Sequence, residues 1–459
     1  MRMAISDHPR PPLPPGPYLV VGLARSGQAA AELLVQRGEE VIGVDAARPD
    51  GAEGLRELGV EVVLETDGVE PVERAGSVVK SPGVPREAPV LIAARAARRP
   101  VIGELELAWR LLPNRFVAVT GTNGKTTVVE LLGNVWRGAG ESVRVAGNVG
   151  TPLASLVGEV AAEATIVCEA SSFQLEDTEE FVPECGVLLN VAADHLDRHG
   201  TLEAYRNAKL RMFANQGDDD VCVYNGSEAA IRELELGSGT RVAFCREPGE
   251  GTECLAAIVG DALVLSGRPL LALDELALIG PHNADNAAAA AAAAAAMGIG
   301  DEAIAGGLRA FPGVPHRLER VAEHDEVLFV NDSKATNVTA AAAALRSFDG
   351  GVHAILGGSL KGGGFVELVA PIAERCVACY LIGDAAERLE RDLEPAWRAG
   401  VAYHRLDGLA AAVERAAAGA GSGEVVLLAP ACASFDAYRD FEQRGEHFRA
   451  LVGALSREA

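Results

Sequence analysis

Short apolar segments that end in a glycine-containing or polar turn and continue into a helical stretch recur along the chain. Residues 18–27, 116–127 and 326–337 open three blocks with this pattern. Consecutive parallel strands need a crossover connection, usually a helix, so the alternation predicts parallel sheets covered by helices. The chain has 459 residues, which at about 100–200 residues per domain predicts about three domains. The predicted fold class is therefore α/β.

Composition along the chain suggests where these domains begin and end. Residues 1–17 contain six prolines and no apolar core segment, so we predict a flexible, Pro-rich tail. We predict three domains over residues 18–103, 104–313 and 314–459. The first and third are expected to be Rossmann-like sheets, because strand-like and helical segments alternate throughout them.

The chain carries 41 Lys and Arg against 65 Asp and Glu, a net charge of −24. This charge repels nucleic acid and anionic membranes, and no basic segment offsets it. The Ala-rich residues 287–296 are too few to span a bilayer, so we predict no membrane insertion. Without a secretory signal, we expect a cytoplasmic protein whose eight cysteines are reduced. Cys376 and Cys379 are interpreted as core residues, since a zinc site needs a second ligand pair.

The most specific motif is the loop 120–127, Thr-Gly-Thr-Asn-Gly-Lys-Thr-Thr, directly after a buried strand. Such a loop directs backbone N–H groups at phosphates, and the following helix adds the positive end of its dipole. Lys125 would lie against the β- and γ-phosphates, and Thr126 would bind Mg²⁺. Val119 stands where the standard motif has its first glycine, so this is a variant P-loop and a plain glycine turn is the alternative. We predict that the central sheet is of the P-loop ATPase type.

A second glycine turn, residues 22–27, follows the first strand, and Asp45 ends the next one. The turn resembles a dinucleotide-binding fingerprint, but Ala24 replaces its middle glycine. Two interpretations stay open: a nicotinamide cofactor, or the diphosphate of another nucleotide at the helix N-terminus. Ser81, at the end of another strand of the same sheet, would line the same crevice.

Polar side chains follow several other strands. Glu169 and His195 each come at or just after the end of a strand in the central block. A carboxylate and an imidazole beside a phosphate loop are suitable ligands for a divalent cation, above all Mg²⁺. Lys209, by itself, would be a solvated charge. In the third block, three polar turns at strand ends predict a ligand site; they are residues 331–337, 357–362 and 431–436.

Taken together, these segments resemble the Mur ligase family of ATP-dependent amide ligases. The resemblance is carried by residues 121–127, Glu169 with 171–174, 194–198, His282-Asn283 with Asn286, and His316-Arg317. Residues 331–337, 431–436 and 441–445 are similar to the members that add D-glutamate to UDP-N-acetylmuramoyl-L-alanine. The resemblance covers essentially the whole chain after the Pro-rich tail.

The resemblance implies roles for individual residues. Catalytic roles are implied for Lys125, Glu169, His195 and Lys209. ATP contacts are implied for Gly121, Thr122, Asn123, Gly124, Lys125, Thr126, Thr127, Asn283, Asn286, Arg317 and Asp332. Ligands for two Mg²⁺ ions are implied to be Thr126, Glu169, His195 and Lys209, the last as a carbamate. UDP-sugar contacts are implied for Ser26, Asp45, Ser81 and Asn148, and D-glutamate contacts for Thr336, Lys361, Ser434 and Phe441.

The implied reaction begins with attack of the substrate carboxylate on the γ-phosphorus of ATP, which gives an acyl phosphate. The amine of D-glutamate then displaces phosphate, and domain 314–459 would bind this amino acid. Two other classes of enzyme are alternatives. A folylpolyglutamate-type ligase commonly lacks the first domain, and a nicotinamide-dependent oxidoreductase leaves the loop 121–127 and the polar turns of the third block without a role.

Overall fold

A computed structural model describes residues 5–246, 248, 253–360 and 363–455. The chain forms two compact units, Met1–Glu275 with Asp285–Ala310 and Leu276–Ala284 with Phe311–Ala459. The first unit contains two sheets and the second contains one. The prediction of an α/β fold with three sheets is confirmed. The domain boundaries near residues 103 and 313 stay predictions.

The first sheet has five parallel strands in the order β3-β2-β1-β4-β5. Its strands are β1 (Tyr18–Val21), β2 (Val41–Asp45), β3 (Glu61–Leu64), β4 (Ser77–Lys80) and β5 (Val101–Gly103). Its helices are α1 (Arg25–Gln36), α2 (Pro89–Ala96) and α3 (Glu104–Leu111). The direction of strand order reverses between β1 and β4, which places a crevice at the carboxyl ends of these two strands.

The second sheet has nine strands in the order β14-β13-β12-β11-β10-β9-β6-β8-β7. They are β6 (Phe116–Thr120), β7 (Val143–Gly147), β8 (Thr165–Glu169), β9 (Cys185–Leu188), β10 (Val221–Asn225), β11 (Thr240–Arg246), β12 (Ala256–Val259), β13 (Ala262–Leu265) and β14 (Arg268–Ala272). Its helices are α4 (Lys125–Gly138), α5 (Ser172–Leu175), α6 (Leu196–His199), α7 (Leu202–Leu210), α8 (Ala229–Arg232), α9 (Pro281–Ala296, of which residues from Asp285 belong to this unit) and α10 (Asp301–Arg309). The seven strands β6 to β12 are parallel to their neighbours in this part of the sheet. Strands β12, β13 and β14 form an antiparallel meander that the sequence pattern did not predict.

The third sheet has six strands in the order β15-β16-β20-β17-β18-β19. They are β15 (Glu319–His324), β16 (Val327–Asn331), β17 (Val352–Gly357), β18 (Cys376–Ile382), β19 (Ala402–Arg405) and β20 (Val425–Leu428). Its helices are α11 (Val338–Leu345), α12 (Val369–Arg375), α13 (Ala386–Asp392), α14 (Glu394–Arg398), α15 (Leu409–Gly419) and α16 (Phe441–Leu455). All pairs are parallel except the edge strand β15.

The Pro-rich segment is attached to the rest of the first unit. The backbone N–H of Ser6 donates to the carbonyl of Pro113 (3.1 Å), and His8 Nε2 lies 2.7 Å from Asp220 Oδ1. The Arg10 guanidinium donates to two backbone carbonyls and lies 4.2 Å from the centroid of the Trp109 ring. The carbonyls of Pro12, Pro15 and Pro17 also accept from Arg110, Ser77 and Gly76. The description of residues 1–17 as a flexible tail therefore does not apply to residues 6–17, because long-range hydrogen bonds attach this segment.

The cysteines only partly follow the prediction. Cys245 and Cys254 form a disulfide, with 6.0 Å between their Cα atoms, so the prediction of eight reduced thiols is wrong for this pair. Cys379 is buried and Cys376 half-buried, as expected of core residues in β18. Within the described part of the chain, no helix has both the length and the apolar character needed to cross a membrane.

Candidate active site

The glycine loop lies where a buried strand meets a helix. Strand β6 is fully buried, and residues 121–124 connect it to α4, which begins at Lys125. Gly121 and Gly124 have φ angles of +154° and +85°, a region that side chains disfavour. A Cβ atom at position 124 would overlap the side-chain oxygen of Asn286, which packs against the loop. Both glycines are thus required by backbone conformation, and the second also by close packing.

Lys125 lies over the loop it follows. Its Nζ donates hydrogen bonds to the carbonyl oxygens of Gly121 and Thr122, each at 2.9 Å. This places an ammonium group at the N-terminus of α4, where the dipole of the helix is already positive. Two cationic features at one point make this a favourable position for a phosphate group.

Asn190 braces the loop from the segment after β9. Its side-chain oxygen accepts from the backbone N–H groups of Thr122 (3.0 Å) and Asn123 (2.8 Å), and its Nδ2 donates to the carbonyl of Asn123 (3.2 Å). Sequence reasoning missed this residue. Its position directly after an apolar strand was the only available signal.

Glu169 ends β8 beside the loop, because β8 and β6 are parallel neighbours with Glu169 opposite Val119. The carboxylate is 2% exposed. It accepts from the hydroxyl of Thr126 (2.8 Å) and from Nδ2 of Asn148 (3.0 Å). The structure therefore brings Asn148, predicted to contact the UDP-sugar, onto the predicted metal ligand.

Lys209, on α7, also contacts the loop 121–124. Its Nζ donates to the carbonyl of Gly121 (2.7 Å) and lies 4.3 Å from the centroid of the Tyr205 ring. The side chain is buried, so the solvated charge suggested by sequence reasoning alone is wrong. Burial, assisted by the nearby charge of Lys125, lowers the pKa of Lys209 to about 7. A substantial fraction of this amine is uncharged at neutral pH.

His195 precedes α6 with a φ of +50°. Its ring is 4.9 Å from the ring of Phe173 and 6.3 Å from that of Tyr205, measured between centroids. Tyr205 thus contacts both His195 and Lys209, and its hydroxyl donates to Thr122 Oγ1 at 3.3 Å. The predicted residues of the central sheet converge on one region around the loop.

In the first sheet, the predicted residues organise the turn after β1. Ser81 Oγ donates to the carbonyl of Gly22 (2.6 Å), and Asp45 accepts from the backbone N–H groups of Leu23 (2.7 Å) and Ala47 (2.8 Å). Ser26 lies half-buried in the first turn of α1. This crevice, at the reversal of strand order, is where an open α/β sheet binds ligands.

In the second unit, Asp332 follows β16 and is almost completely buried. Burial raises the pKa of this carboxyl to about 7, although the neighbouring Arg317 acts in the opposite direction. Asp332 accepts from the backbone N–H of Leu318 (3.2 Å). Nδ2 of Asn331, the preceding residue, lies 3.0 Å from Nδ1 of His316. The turn after β16 is therefore a closely hydrogen-bonded polar cluster, and its role in a ligand site stays a prediction.

Arg444, on α16, joins two of the polar turns and was missed by sequence reasoning. Its guanidinium is buried and donates to the hydroxyl (3.0 Å) and carbonyl (2.9 Å) of Ser333. It also donates to the carbonyls of Cys432 (3.2 Å) and Ala433 (3.1 Å). Burial lowers its pKa to about 10, so it keeps its positive charge at neutral pH.

The residues predicted for D-glutamate lie around these turns. Ser434 is 2% exposed, and Thr336 is half-buried. Phe441 begins α16, and its ring centroid is 3.9 Å from Nζ of Lys334. Asn283 belongs to the same unit and donates from its Nδ2 to the carbonyl of Ile279 (2.8 Å). Lys361 lies outside the described residues.

The substitution Gly124→Ala is expected to destabilise the first unit more than Gly140→Ala does. Both glycines have positive φ, +85° and +75°, so each alanine should cost about 1–2 kcal/mol of unfolding free energy. Only the Cβ at 124 also meets a neighbour, Asn286, whereas position 140 has open space. Urea denaturation of both variants would measure the difference. Equal losses would show that Asn286 moves aside freely.

Comparisons with known proteins match both units. Residues 119–294 match the family model for the Mur ligase middle domain, and residues 316–432 match that for the Mur ligase, glutamate ligase domain. Two relatives, from Pelotomaculum thermopropionicum and Acidobacterium capsulatum, are named UDP-N-acetylmuramoylalanine--D-glutamate ligase. Each is 41% identical to the chain; the alignments cover 96% and 95% of this chain and 98% and 95% of the relatives.

Solved structures agree at the level of the fold. UDP-N-acetylmuramate-alanine ligase from Thermotoga maritima aligns over 97% of this chain and all of its own, with a TM-score of 0.59 and 19% identity. MurF from Acinetobacter baumannii aligns over 95% of this chain and 93% of its own, with a TM-score of 0.58 and 18% identity.

Proposed function

The chain belongs to the Mur ligase family, and we propose that it joins D-glutamate to UDP-N-acetylmuramoyl-L-alanine, driven by ATP, in peptidoglycan precursor synthesis. The observation that carries the choice of substrates is the 41% identity, over nearly the full length of both chains, to D-glutamate ligases. The choice of ATP rests on the loop 121–127 and on the family. We propose that the protein acts in the cytoplasm.

ATP phosphates are proposed to bind at the loop 121–127. Support comes from the position of Lys125 at the N-terminus of α4 and from the positive φ angles that shape the loop. Asn286 packs on Gly124 in the same unit and is proposed to contact the nucleotide. Further ATP contacts are proposed for Asn283, Arg317 and Asp332.

The residues around Glu169 suit a Mg²⁺ ion. Mg²⁺ prefers hard oxygen ligands and is usually held by one or two carboxylates together with waters and phosphate oxygens. The carboxylate of Glu169 and the hydroxyl of Thr126 provide such oxygens 2.8 Å apart. Among the described residues, no three His, Cys, Asp or Glu side chains form a group that could hold a metal ion. When bound, Mg²⁺ would neutralise charge on the phosphates.

We propose that Lys209 carries a carbamate and, with His195, serves a second Mg²⁺. Carbamate formation needs an uncharged amine, whose lone pair attacks carbon dioxide to form a C–N bond while a proton is released. The pKa of about 7 for Lys209 supplies that amine near neutral pH. The product replaces a buried cation by an anion with two oxygen atoms, beside Lys125.

The proposed reaction follows from these positions. The carboxylate of UDP-N-acetylmuramoyl-L-alanine attacks the γ-phosphorus of ATP, and the bond to the ADP oxygen breaks. Lys125 stabilises the charge on the transferring phosphoryl group, which is chiefly an electrostatic and positioning task. The D-glutamate amine then attacks the acyl phosphate carbon and loses a proton, and phosphate leaves.

The remaining substrate contacts are proposed in two groups. Ser26, Asp45, Ser81 and Asn148 are proposed to contact the UDP-sugar, three of them beside the crevice of the first sheet. Thr336, Lys361, Ser434 and Phe441 are proposed to contact D-glutamate. Arg444 would act as a positioning residue, because it holds the turns that carry Thr336 and Ser434.

The test is phosphate release from the purified chain with ATP, Mg²⁺, D-glutamate and UDP-N-acetylmuramoyl-L-alanine. We expect release only when all four components are present. Release with L-glutamate and a folate in place of these substrates would favour a folylpolyglutamate-type ligase. A change in NAD(P)H absorbance without phosphate release would favour an oxidoreductase, and either result would overturn the proposal.

Replacing Ser434 by alanine or Thr336 by valine is expected to raise KM for D-glutamate about ten- to a hundredfold, with little change in KM for ATP. Each substitution removes a hydrogen bond to a carboxylate, and charge-assisted bonds have this magnitude. Ser422→Ala is the matched control, since this exposed serine donates to Glu326 instead. Equal increases in both KM values would place the pocket elsewhere.

A further inference from the structure

A polar cavity of about 300 Å³ lies in the first unit, and the loop 121–127 contributes no residue to its walls. It is lined by residues before, on and after α2, by the start of β5, by the segment that follows α5 and by Arg211, directly after α7. Four arginines contribute to its walls: Arg86, Arg95, Arg99 and Arg211. We call this cavity with its four cations the arginine pocket.

The acidic residues of the arginine pocket already have partners outside it. Lys80 is fully buried and pairs with both Asp177 and Glu176. Arg198 pairs with Glu176 at 2.6 Å. Glu179 lies 3.6 Å from Arg110. None of these three cations, Lys80, Arg198 and Arg110, lines the pocket. The carboxylates in its walls are therefore paired with cations that lie outside it.

Three of the four arginines, in contrast, donate hydrogen bonds to backbone carbonyls. The side chain of Arg95 donates to the backbone carbonyl of Arg86 (2.7 Å), and that of Arg99 donates to the backbone carbonyl of Glu73 (3.1 Å). Arg211 donates to the carbonyls of Leu175 (3.1 Å) and Thr178. Among the residues that the structure describes, none of the four forms an ion pair within 4 Å, and Nε of Arg99 is buried without an acceptor.

Arg86 acts electrostatically on one acidic neighbour, Asp177. Its charge lowers the pKa of Asp177, against the raising effect of burial. Asp177 is nevertheless paired with Lys80, so Arg86 keeps donors for another anion. In a chain with 24 more acidic than basic residues, a cavity lined by four arginines, none of them in an ion pair within 4 Å among the described residues, is unexpected.

We propose that the arginine pocket binds a multiply charged anion of the phosphate class, separately from the loop 121–127. Guanidinium groups match phosphate oxygens in pairs of parallel hydrogen bonds, and their charge does not depend on pH in the physiological range. Several arginines around one cavity favour an anion with more than one negative charge. This site is independent of the proposed ligase activity.

Inorganic pyrophosphate is a suitable probe, titrated into the full chain by calorimetry at low ionic strength. The titration is made in the Lys125→Ala background, which weakens binding at the glycine loop. We expect pyrophosphate to bind with one site, and Arg86→Gln and Arg95→Gln each to weaken it about tenfold. Arg74→Gln, which removes an exposed arginine paired with Glu61, is the control and should leave the affinity unchanged.

Parallel titrations with inorganic phosphate and a sugar phosphate distinguish a free anion from an esterified one. Both substituted arginines are exposed, and thermal melting checks that each variant is folded. Absence of pyrophosphate binding in the Lys125→Ala background, or affinity unchanged by the two substitutions, would overturn the proposal. If sulfate bound as tightly as pyrophosphate, the proposal would also be overturned, because the pocket would then attract anions in general.

Discussion

Lys125→Ala is expected to lower turnover about a thousandfold while leaving the fold intact. The side chain donates to two carbonyls of its own loop, Gly121 and Thr122, and it is not part of a hydrophobic core, so we expect its loss to remove little packing. In the proposed reaction, however, its ammonium stabilises charge that develops on the transferring phosphoryl group. Phosphate release and thermal melting, measured on the same preparation, separate the two effects.

Arg137→Ala provides the matched control for this experiment. It removes an exposed cation from the last turn of the same helix, α4, at the end away from the loop. We expect its turnover to equal that of the unchanged chain. Normal turnover in Lys125→Ala with an unchanged melting temperature would remove Lys125 from the mechanism.

Lys209→Ala is expected to lower turnover at least about a hundredfold, because it removes the proposed carbamate oxygens beside the metal. Acetate should restore part of the activity, since its carboxylate has similar oxygens and the alanine leaves a space for it. The rescue should rise with acetate concentration and be absent with chloride at equal ionic strength, which controls for screening.

The unchanged chain should also depend on carbon dioxide in a pH-dependent manner. The pKa of Lys209 is lowered to about 7, so the uncharged amine increases as pH rises from 6 to 8. Removing dissolved carbon dioxide should therefore reduce turnover, and added bicarbonate should restore more of it at pH 8 than at pH 6, because carbamate formation needs the uncharged amine and releases a proton. Near-normal turnover of Lys209→Ala without acetate would contradict the carbamate.

Local patterns were sufficient for much of the fold and for the centre of the site. The strand before the loop 121–127 is a continuous apolar run, and the glycines in the loop mark positive φ angles. Glu169 was found because it ends an apolar strand, and parallel strands place their carboxyl ends at one edge. The short antiparallel strands β12–β14 were missed, since only part of each is buried and their pattern is weak.

Sequence by itself therefore determined most of the elements, the parallel arrangement of most strands and the glycine loop 121–127, because these depend on neighbouring residues and on repeated burial. Only the tertiary structure decided the partners of the loop: Asn190 and Lys209 reach it from 67 and 88 residues away. It also decided the protonation of Lys209, since the pKa shift comes from burial by distant segments. Likewise, Arg444 joins turns that are 111 and 12 residues distant along the chain. Such contacts depend on which strands become neighbours, and that is a property of the whole fold.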